Sequence, residues 1–389
     1  MKVALIVEWL ETWRGGAETS TQQFIHELVD LGVQVAVFTR SHVTARPGVE
    51  VHPLRTPGPS RAVHALQFSR RADRAALASG ADVIHAITPS LAADVYQPRG
   101  GTFAETIARN RVLRRTSVAR TIKRLAQHVN VKQRVLLKLE RQMLTRPNPP
   151  VVLALSDYVV RQLHEHYRLA DARIRKVFNG VAPDTTPEAE RAEHRAEVRR
   201  LYRVEDGEVL ALTVAHNFRL KGVGTLLDAV GRLQAQGRAE RLKVVVAGKS
   251  RIAPWENRAK RRRVGDIVQF VGPTQRIRHF YHAADLLVHP TYYDPCSRVV
   301  LEALASDLPV ISTRFDGAAE MIADGENGFV LDAPDDAATL AERIGRMLDD
   351  GVRGRMRAAA RALPPADMRR HAEEVVAVYR SLREGAQAR

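Results

Sequence analysis

The chain has 389 residues, a formal net charge of +16 and a pI near 10.5. Its apolar share of 45% and charged share of 27% exclude a disordered or fibrous chain, and its length predicts two domains, each with its own core. The charge implies anionic company, and the single cysteine, Cys296, excludes an intramolecular disulfide and points to a reducing cytoplasm.

The opening residues, MKVALIVEWLETW, have too short an apolar run for a signal peptide and soon turn acidic. No stretch approaches the ~20 apolar residues of a membrane span. From here strands alternate with helices, the pattern of βαβ units and a parallel sheet. Strands are predicted at Lys2–Val7, Gln34–Thr39, Asp82–Ala86 and Val151–Leu155, with helices at Ala17–Leu31, Ala62–Ala78 and Tyr158–Tyr167. Strands follow at Val209–Val214, Lys243–Ala247, Val268–Val271, Leu286–His289 and Val310–Ser312. Gly and Pro interrupt the periodicity over Asn179–Glu188 and mark a domain boundary. The expected division is 1–182 and 183–364, with an amphipathic helix over 365–385 packing back on the first domain.

The excess charge is concentrated in 107–146. Arg109, Arg111, Arg114, Arg115, Arg120, Lys123, Arg124, Lys132, Arg134, Lys138, Arg141 and Arg146 stand there against one acid, Glu140. Leu113, Val118, Ile122, Leu125 and Val129 recur at helical spacing, which predicts a basic amphipathic helix. A solvated face, an anionic membrane surface and nucleic acid all fit such a segment. It contains no Phe, Tyr or Trp, which argues against stacking on single-stranded nucleic acid, and no nucleic-acid partner is expected.

Three turns at strand ends suit an anion. Gly15 and Gly16 precede a helix, where backbone can approach a phosphate closely. After the strand at 209–214 come His216, Asn217, Arg219 and Lys221-Gly222, and Lys221 is a point charge able to meet a diphosphate. Gly248-Lys249 forms the third. The stretch 285–312 adds Asp294 and Glu302 beside a strand end and a helix start, where α/β sheets bind ligands; carboxylates there suit sugar hydroxyls.

Together, Gly15-Gly16, Asn179-Gly180-Val181, Lys221-Gly222, the Asp294 to Glu302 spacing and Gly317-Ala318-Ala319-Glu320 resemble the retaining nucleotide-sugar glycosyltransferases of family four over nearly the whole chain. The resemblance implies a GT-B fold, an α/β architecture of two Rossmann-like doubly wound domains facing across a cleft. It implies a donor that is a nucleoside diphosphate sugar, with UDP foremost. The acceptor would be a saccharide or glycolipid of lipopolysaccharide or other cell-envelope synthesis, at the inner face of the plasma membrane.

By position, Lys221 matches the lysine that neutralises the leaving diphosphate, and Glu302 the glutamate that grips the ribose. Asp294 stands where the family has the sugar-binding glutamate, one methylene shorter. His216 occupies the place of an arginine for which Arg219 would substitute. The backbone amides of Cys296, Ser297 and Arg298 would face the diphosphate with Asn217, Gly248 and Lys249, and Gly16 would close over it from the other domain. No cofactor is expected, and no Asp-x-Asp triplet suggests a divalent-ion clamp.

On the acceptor side the family's histidine is replaced by Ile87. That leaves His85, Glu18 and Glu105 as candidates, and Ser20 stands where an acid would be. Asp307 replaces a family glycine at a turn that Asp tolerates in the left-handed region. A noncatalytic nucleotide-sugar-binding protein on the same scaffold remains the alternative.

Overall fold

The computed structural model describes residues 1–11, 15–41, 47–113 and 131–387. Trp13, Arg14 and the stretch 114–130 of the basic segment lie outside the described residues. The chain divides into two compact units, Met1–Ala182 with Asp367–Arg389, and Pro183–Ala366.

Unit 1 carries seven strands: β1 (Lys2–Ile6), β2 (Gln34–Thr39), β3 (Val49–Pro53), β4 (Val83–Ala86), β5 (Val95–Tyr96), β6 (Val151–Ala154) and β7 (Ile174–Lys176). They form one sheet in the order β3-β2-β1-β4-β5-β6-β7, every pair parallel. A parallel sheet is covered on both faces, so its central strands read as continuous apolar runs. The helices are α1 (Gly16–Asp30), α2 (Arg61–Ala78), α3 (Phe103–Val112), α4 (Val131–Leu144) and α5 (Asp157–Tyr167). Ser60, Thr102 and Ser156 cap the starts of α2, α3 and α5 with side-chain oxygens that accept from the first turn.

The apolar positions of α4, Leu136, Leu139, Met143 and Leu144, are buried. Val118, Ile122, Leu125 and Val129, which carry the expected basic amphipathic helix, lie outside the described residues; at the described end of 107–146 the apolar face is used by the unit's own interior, and Arg134, Lys138 and Arg141 are left outward. The chain's last helix belongs to this unit. Met368, Ala372, Val375, Val376 and Tyr379 recur at three- and four-residue spacing and join the core of Val3, Leu5, Phe24 and Val83. Where the chain leaves and re-enters the unit, Val181 pairs with Asp367. A Cβ on Gly180 would lie 2.5 Å from the Asp367 carbonyl oxygen, so the crossing requires glycine.

Unit 2 has α6 (Glu188–Leu201), β8 (Val209–Val214), α7 (Val223–Ala235), β9 (Leu242–Ala247), α8 (Ala253–Arg261), β10 (Val268–Val271), α9 (Ile277–Ala283) and β11 (Leu286–Val288). There follow α10 (Arg298–Ala305), β12 (Val310–Thr313), β13 (Gly328–Leu331), α11 (Ala337–Met347) and α12 (Asp350–Arg361), with α13 (Met368–Gln387) being the helix returned to unit 1. The six strands lie parallel in the order β10-β9-β8-β11-β12-β13. Asp307 adopts the left-handed region at φ 61, as its place in the turn predicts, and pairs with Arg191 at 3.3 Å and Arg361 at 3.1 Å. Among the described residues no helix is long and apolar enough to cross a membrane.

Candidate active site at the carboxyl ends of the second sheet

The strand order of unit 2 reverses between β8 and β11, which opens a crevice at their carboxyl ends. The loops after these two strands are bonded to each other: Tyr292 N donates to Leu220 O at 2.8 Å, and Thr291 Oγ1 to the same oxygen at 3.3 Å. Close approach demands glycine at 222, where φ is +71 and a Cβ would stand 2.0 Å from Pro290 O. Gly248 is needed for the same reason, its Cβ falling 1.8 Å from Ala215 O. Asn217 shapes the turn, accepting Leu220 N on Oδ1 at 3.2 Å and Lys221 N on its carbonyl at 2.9 Å.

This turn delivers Lys221 to Asp294. The ammonium pairs with Asp294 Oδ2, and both side chains keep partial exposure, 16% and 17%. Asp294 Oδ1 accepts Cys296 N at 3.2 Å. Beside them lies Asp316, 2% exposed, whose Oδ1 accepts Ser297 N and Ala318 N at 3.0 Å each and whose Oδ2 accepts Ser312 Oγ at 2.9 Å. Burial, and then the neighbouring Asp294 carboxylate, push the Asp316 carboxyl up to about 7. His289 completes the group from the end of β11, fully buried, its Nε2 within 3.3 Å of Ser297 Oγ. Burial and then Lys221 hold that imidazole well below its usual value, so it is neutral.

Around this centre the other candidates divide. Glu302, on α10, is held from both sides, accepting Arg298 Nη2 at 2.7 Å and the buried Tyr281 hydroxyl at 3.0 Å. Each of its oxygens retains a lone pair for a further donor. Partial burial, then Lys249 and Lys221, hold His216 below its usual value, so all three belong to one positive region. Arg219 is exposed, and no hydrogen bond or ion pair brings its side chain to Lys221 or Asp294.

Several expectations require correction. The amides of Cys296 and Ser297 are occupied by Asp294 and Asp316, so they do not stand open toward an anion. The Arg298 side chain is engaged with Glu302. In unit 1, Gly15 is the extended N-cap of α1, and its carbonyl accepts Thr19 N at 3.3 Å. Glu18 lies in the first turn of that helix, with an oxygen 3.3 Å from the place of a Cβ on Gly15.

His85 is not an acceptor-side residue. It is 0% exposed, lies edge-on to Phe24, and bonds Tyr379 Oη through Nδ1 at 2.5 Å, while burial and then Arg99 lower it to about 3. Glu105 is likewise committed, bonded to Arg109 at 2.5 Å, His166 at 2.7 Å and Tyr158 Oη at 2.8 Å. Burial alone would raise it, but these partners hold it below its usual range. Ser20 is buried and accepts Arg99 Nη2 at 2.7 Å. Tyr292 and Tyr293 are buried, as packing residues are.

Sequence reasoning missed Asp316, His289 and Tyr281. For Asp316 a signal existed: an acid directly before a glycine, just beyond the polar end Ser312-Thr313 of an apolar strand.

Two family models cover most of the chain, Glycosyltransferase Family 4 over residues 14–185 and Glycosyl transferases group 1 over residues 194–363. The lipopolysaccharide glucosyltransferase WaaG of Escherichia coli (strain K12) is 29% identical over 213 residues, 54% of this chain and 56% of that protein. The D-inositol 3-phosphate glycosyltransferase of Thermobifida fusca (strain YX) is 31% identical over 205 residues, 50% of this chain and 46% of the relative. The chain thus spans about half the length of the curated relatives it matches. Among solved structures, that of WaaG, a glycosyltransferase involved in lipopolysaccharide biosynthesis, superimposes with a TM-score of 0.79 at 21% identity, covering 96% of this chain and 99% of the other. Anabaena Alr3699/HepE in complex with UDP-glucose gives 0.69 at 17%, covering 98% and 100%. At these identities the likeness shows the fold alone, two parallel-sheet α/β units of GT-B type.

Proposed function

The chain belongs to the glycosyltransferases of family 4 and group 1 with the GT-B fold, and from that premise we propose that it moves a sugar from a nucleoside diphosphate onto a saccharide or glycolipid acceptor. The observation that carries the reading is the Lys221–Asp294 pair at the switch point of the second sheet. Donor binding would exchange partners in that pair: the diphosphate takes the ammonium, and Asp294 is released to accept hydrogen bonds from sugar hydroxyls. As the bond between the anomeric carbon and the diphosphate oxygen breaks, negative charge grows on the leaving group and positive charge on the sugar. Lys221, with Lys249 close by, opposes the first, and Asp294 the second.

Glu302, held by Arg298 and Tyr281, would take the ribose hydroxyls. A UDP donor is supported by the likeness to a protein solved with UDP-glucose, and a glycolipid acceptor by the likeness to a lipopolysaccharide glucosyltransferase. Retention of anomeric configuration comes with the resemblance to family four. The chain's own cations do the electrostatic work in this reading, so no divalent ion is required. Membrane association would be peripheral and electrostatic, since α4 presents outward charge while its apolar side is spent on the interior.

Incubation with a panel of nucleotide sugars tests the reading. UDP-sugars should raise the melting temperature and be slowly hydrolysed, and both effects should persist in EDTA. Stabilisation without any turnover, with or without a glycolipid acceptor, would leave a binding protein; no stabilisation by any nucleotide sugar would end the reading.

A further inference from the structure

Unit 2 carries a second concentration of positive charge at the opposite ends of its strands. Asp285 immediately precedes β11 and Asp307 lies just before β12, so the residues around them mark the amino ends of the sheet. There α6, α9 and α12 enclose a cavity of about 320 Å³ lined by Arg191, Arg195, Arg357, Arg361, His282 and Asp307, with Glu188 at its edge. Four arginines thus face two carboxylates within the lining.

Of the lining carboxylates Asp307 is already shared, and so is Asp285 nearby. Asp307 serves both Arg191 and Arg361, at 3.3 and 3.1 Å, and Asp285 serves both Arg195 and Arg199, at 2.8 and 3.1 Å. Arg357 is left over. Among the described residues it makes no hydrogen bond and no ion pair, although it is partly buried between Arg195 and Arg361. Burial, and then Arg195, work against its charge. Asp285 and Asp307 support it in part without pairing with it, and a guanidinium, unlike a lysine or histidine, cannot shed its proton, so a further anion is what would satisfy its donors.

We propose that this cavity is a binding site for a small phosphate-bearing anion, held by Arg357 together with Arg195 and Arg361. A planar guanidinium offers paired donors to phosphate oxygens, and a recessed position strengthens each such bond relative to the open surface. Binding at the amino ends of the strands leaves the carboxyl-end crevice, with Lys221 and Asp294, untouched. The two sites are therefore separable by mutation.

The test is thermal unfolding with inorganic phosphate, pyrophosphate or glucose 6-phosphate, each compared with potassium chloride at equal ionic strength. Phosphate-bearing anions are expected to raise the melting temperature in the wild type and to do so still in Lys221→Ala, less what pyrophosphate gains at the donor crevice. The increment should be lost in Arg357→Gln and restored in Arg357→Lys, which returns the charge. Should Arg357→Gln fail to fold, Arg361→Gln, an exposed position, serves in its place and should weaken binding at least severalfold. An increment that disappears in Lys221→Ala and survives in Arg357→Gln belongs to the donor crevice and overturns the proposal, as does one that chloride reproduces.

Discussion

The two sheets follow the same winding, with each unit's first strand at the centre and the order reversing beside it, yet they treat their polar residues oppositely. In unit 2, Lys221 and Asp294 meet at the carboxyl ends of β8 and β11 and stay partly open to solvent. In unit 1, His85 on β4 is closed off entirely, because α13 lays Tyr379 against it and Phe24 of α1 covers it from the side. The winding is therefore not what makes a site. What decides is whether the elements packed beyond the strand leave its polar residues reachable, and on unit 1 the chain's own terminal helix does not.

The sharpest way to break that contrast is at Lys221. Lys221→Ala removes the fixed cation opposite the leaving group and leaves Asp294 and Asp316 side by side without it. Loss of one preorganised electrostatic partner typically costs about 100- to 1,000-fold in kcat, and a loss of that order is expected here. Near-ultraviolet circular dichroism should be unchanged, since Lys221 is no part of the apolar core of either unit. Initial rates on the preferred nucleotide sugar measure it; a fall smaller than about tenfold would remove Lys221 from the leaving-group role.

His85 tests the other half of the comparison. Truncation to Ala opens a cavity beside Phe24 and leaves the Tyr379 hydroxyl without its imidazole, which together cost about 2–4 kcal/mol. The melting temperature should drop by several degrees, while kcat per folded molecule stays as in the wild type. A variant that melts normally but has lost turnover would restore His85 to the acceptor side.

The same contrast explains what could be read from the chain and what could not. Strands such as VALIV, VAVFT and VLALTV announce themselves because burial on both faces makes them apolar throughout. The strands that escaped, β3, β7 and β13, are sheet edges, and β5 is two residues long. Edge strands such as VEVHP and IRK mix exposed and polar positions, so no period marks them. At the site, Lys221 and Asp294 were legible from residue type at strand ends. Asp316 was marked only by its place before a glycine: its importance comes from accepting the amides of Ser297 and Ala318, and sequence does not record which amides are already occupied. His85 misled for the mirror-image reason, because its cover lies almost three hundred residues away.

The smallest expected effect also separates the units most finely, through pH. Each unit buries one carboxyl pushed up to about 7: Asp316 in unit 2, and in unit 1 Glu140, fully buried among the Tyr96 and Tyr167 hydroxyls and the Phe103 amide. Their ordinary values are 3.8 and 4.5, so in the folded protein both hold a proton that the unfolded chain has released. Folding stability from this source is complete below the unfolded values and is lost as pH rises through about 7. The two carboxyls' share of stability should accordingly fall between roughly pH 4 and 7 and level off above, against the opposite trend of the buried histidines, and it is read as the change in melting-temperature difference between wild type and Asp316→Asn or Glu140→Gln across that range. Only the first should also alter the pH profile of kcat, since Asp316 lies against Asp294 and Lys221 whereas Glu140 is sealed in the interior. If Glu140→Gln reshaped the rate profile as well, the closed polar groups of unit 1 would have to communicate with catalysis, and the division between an open and a closed sheet end would fail.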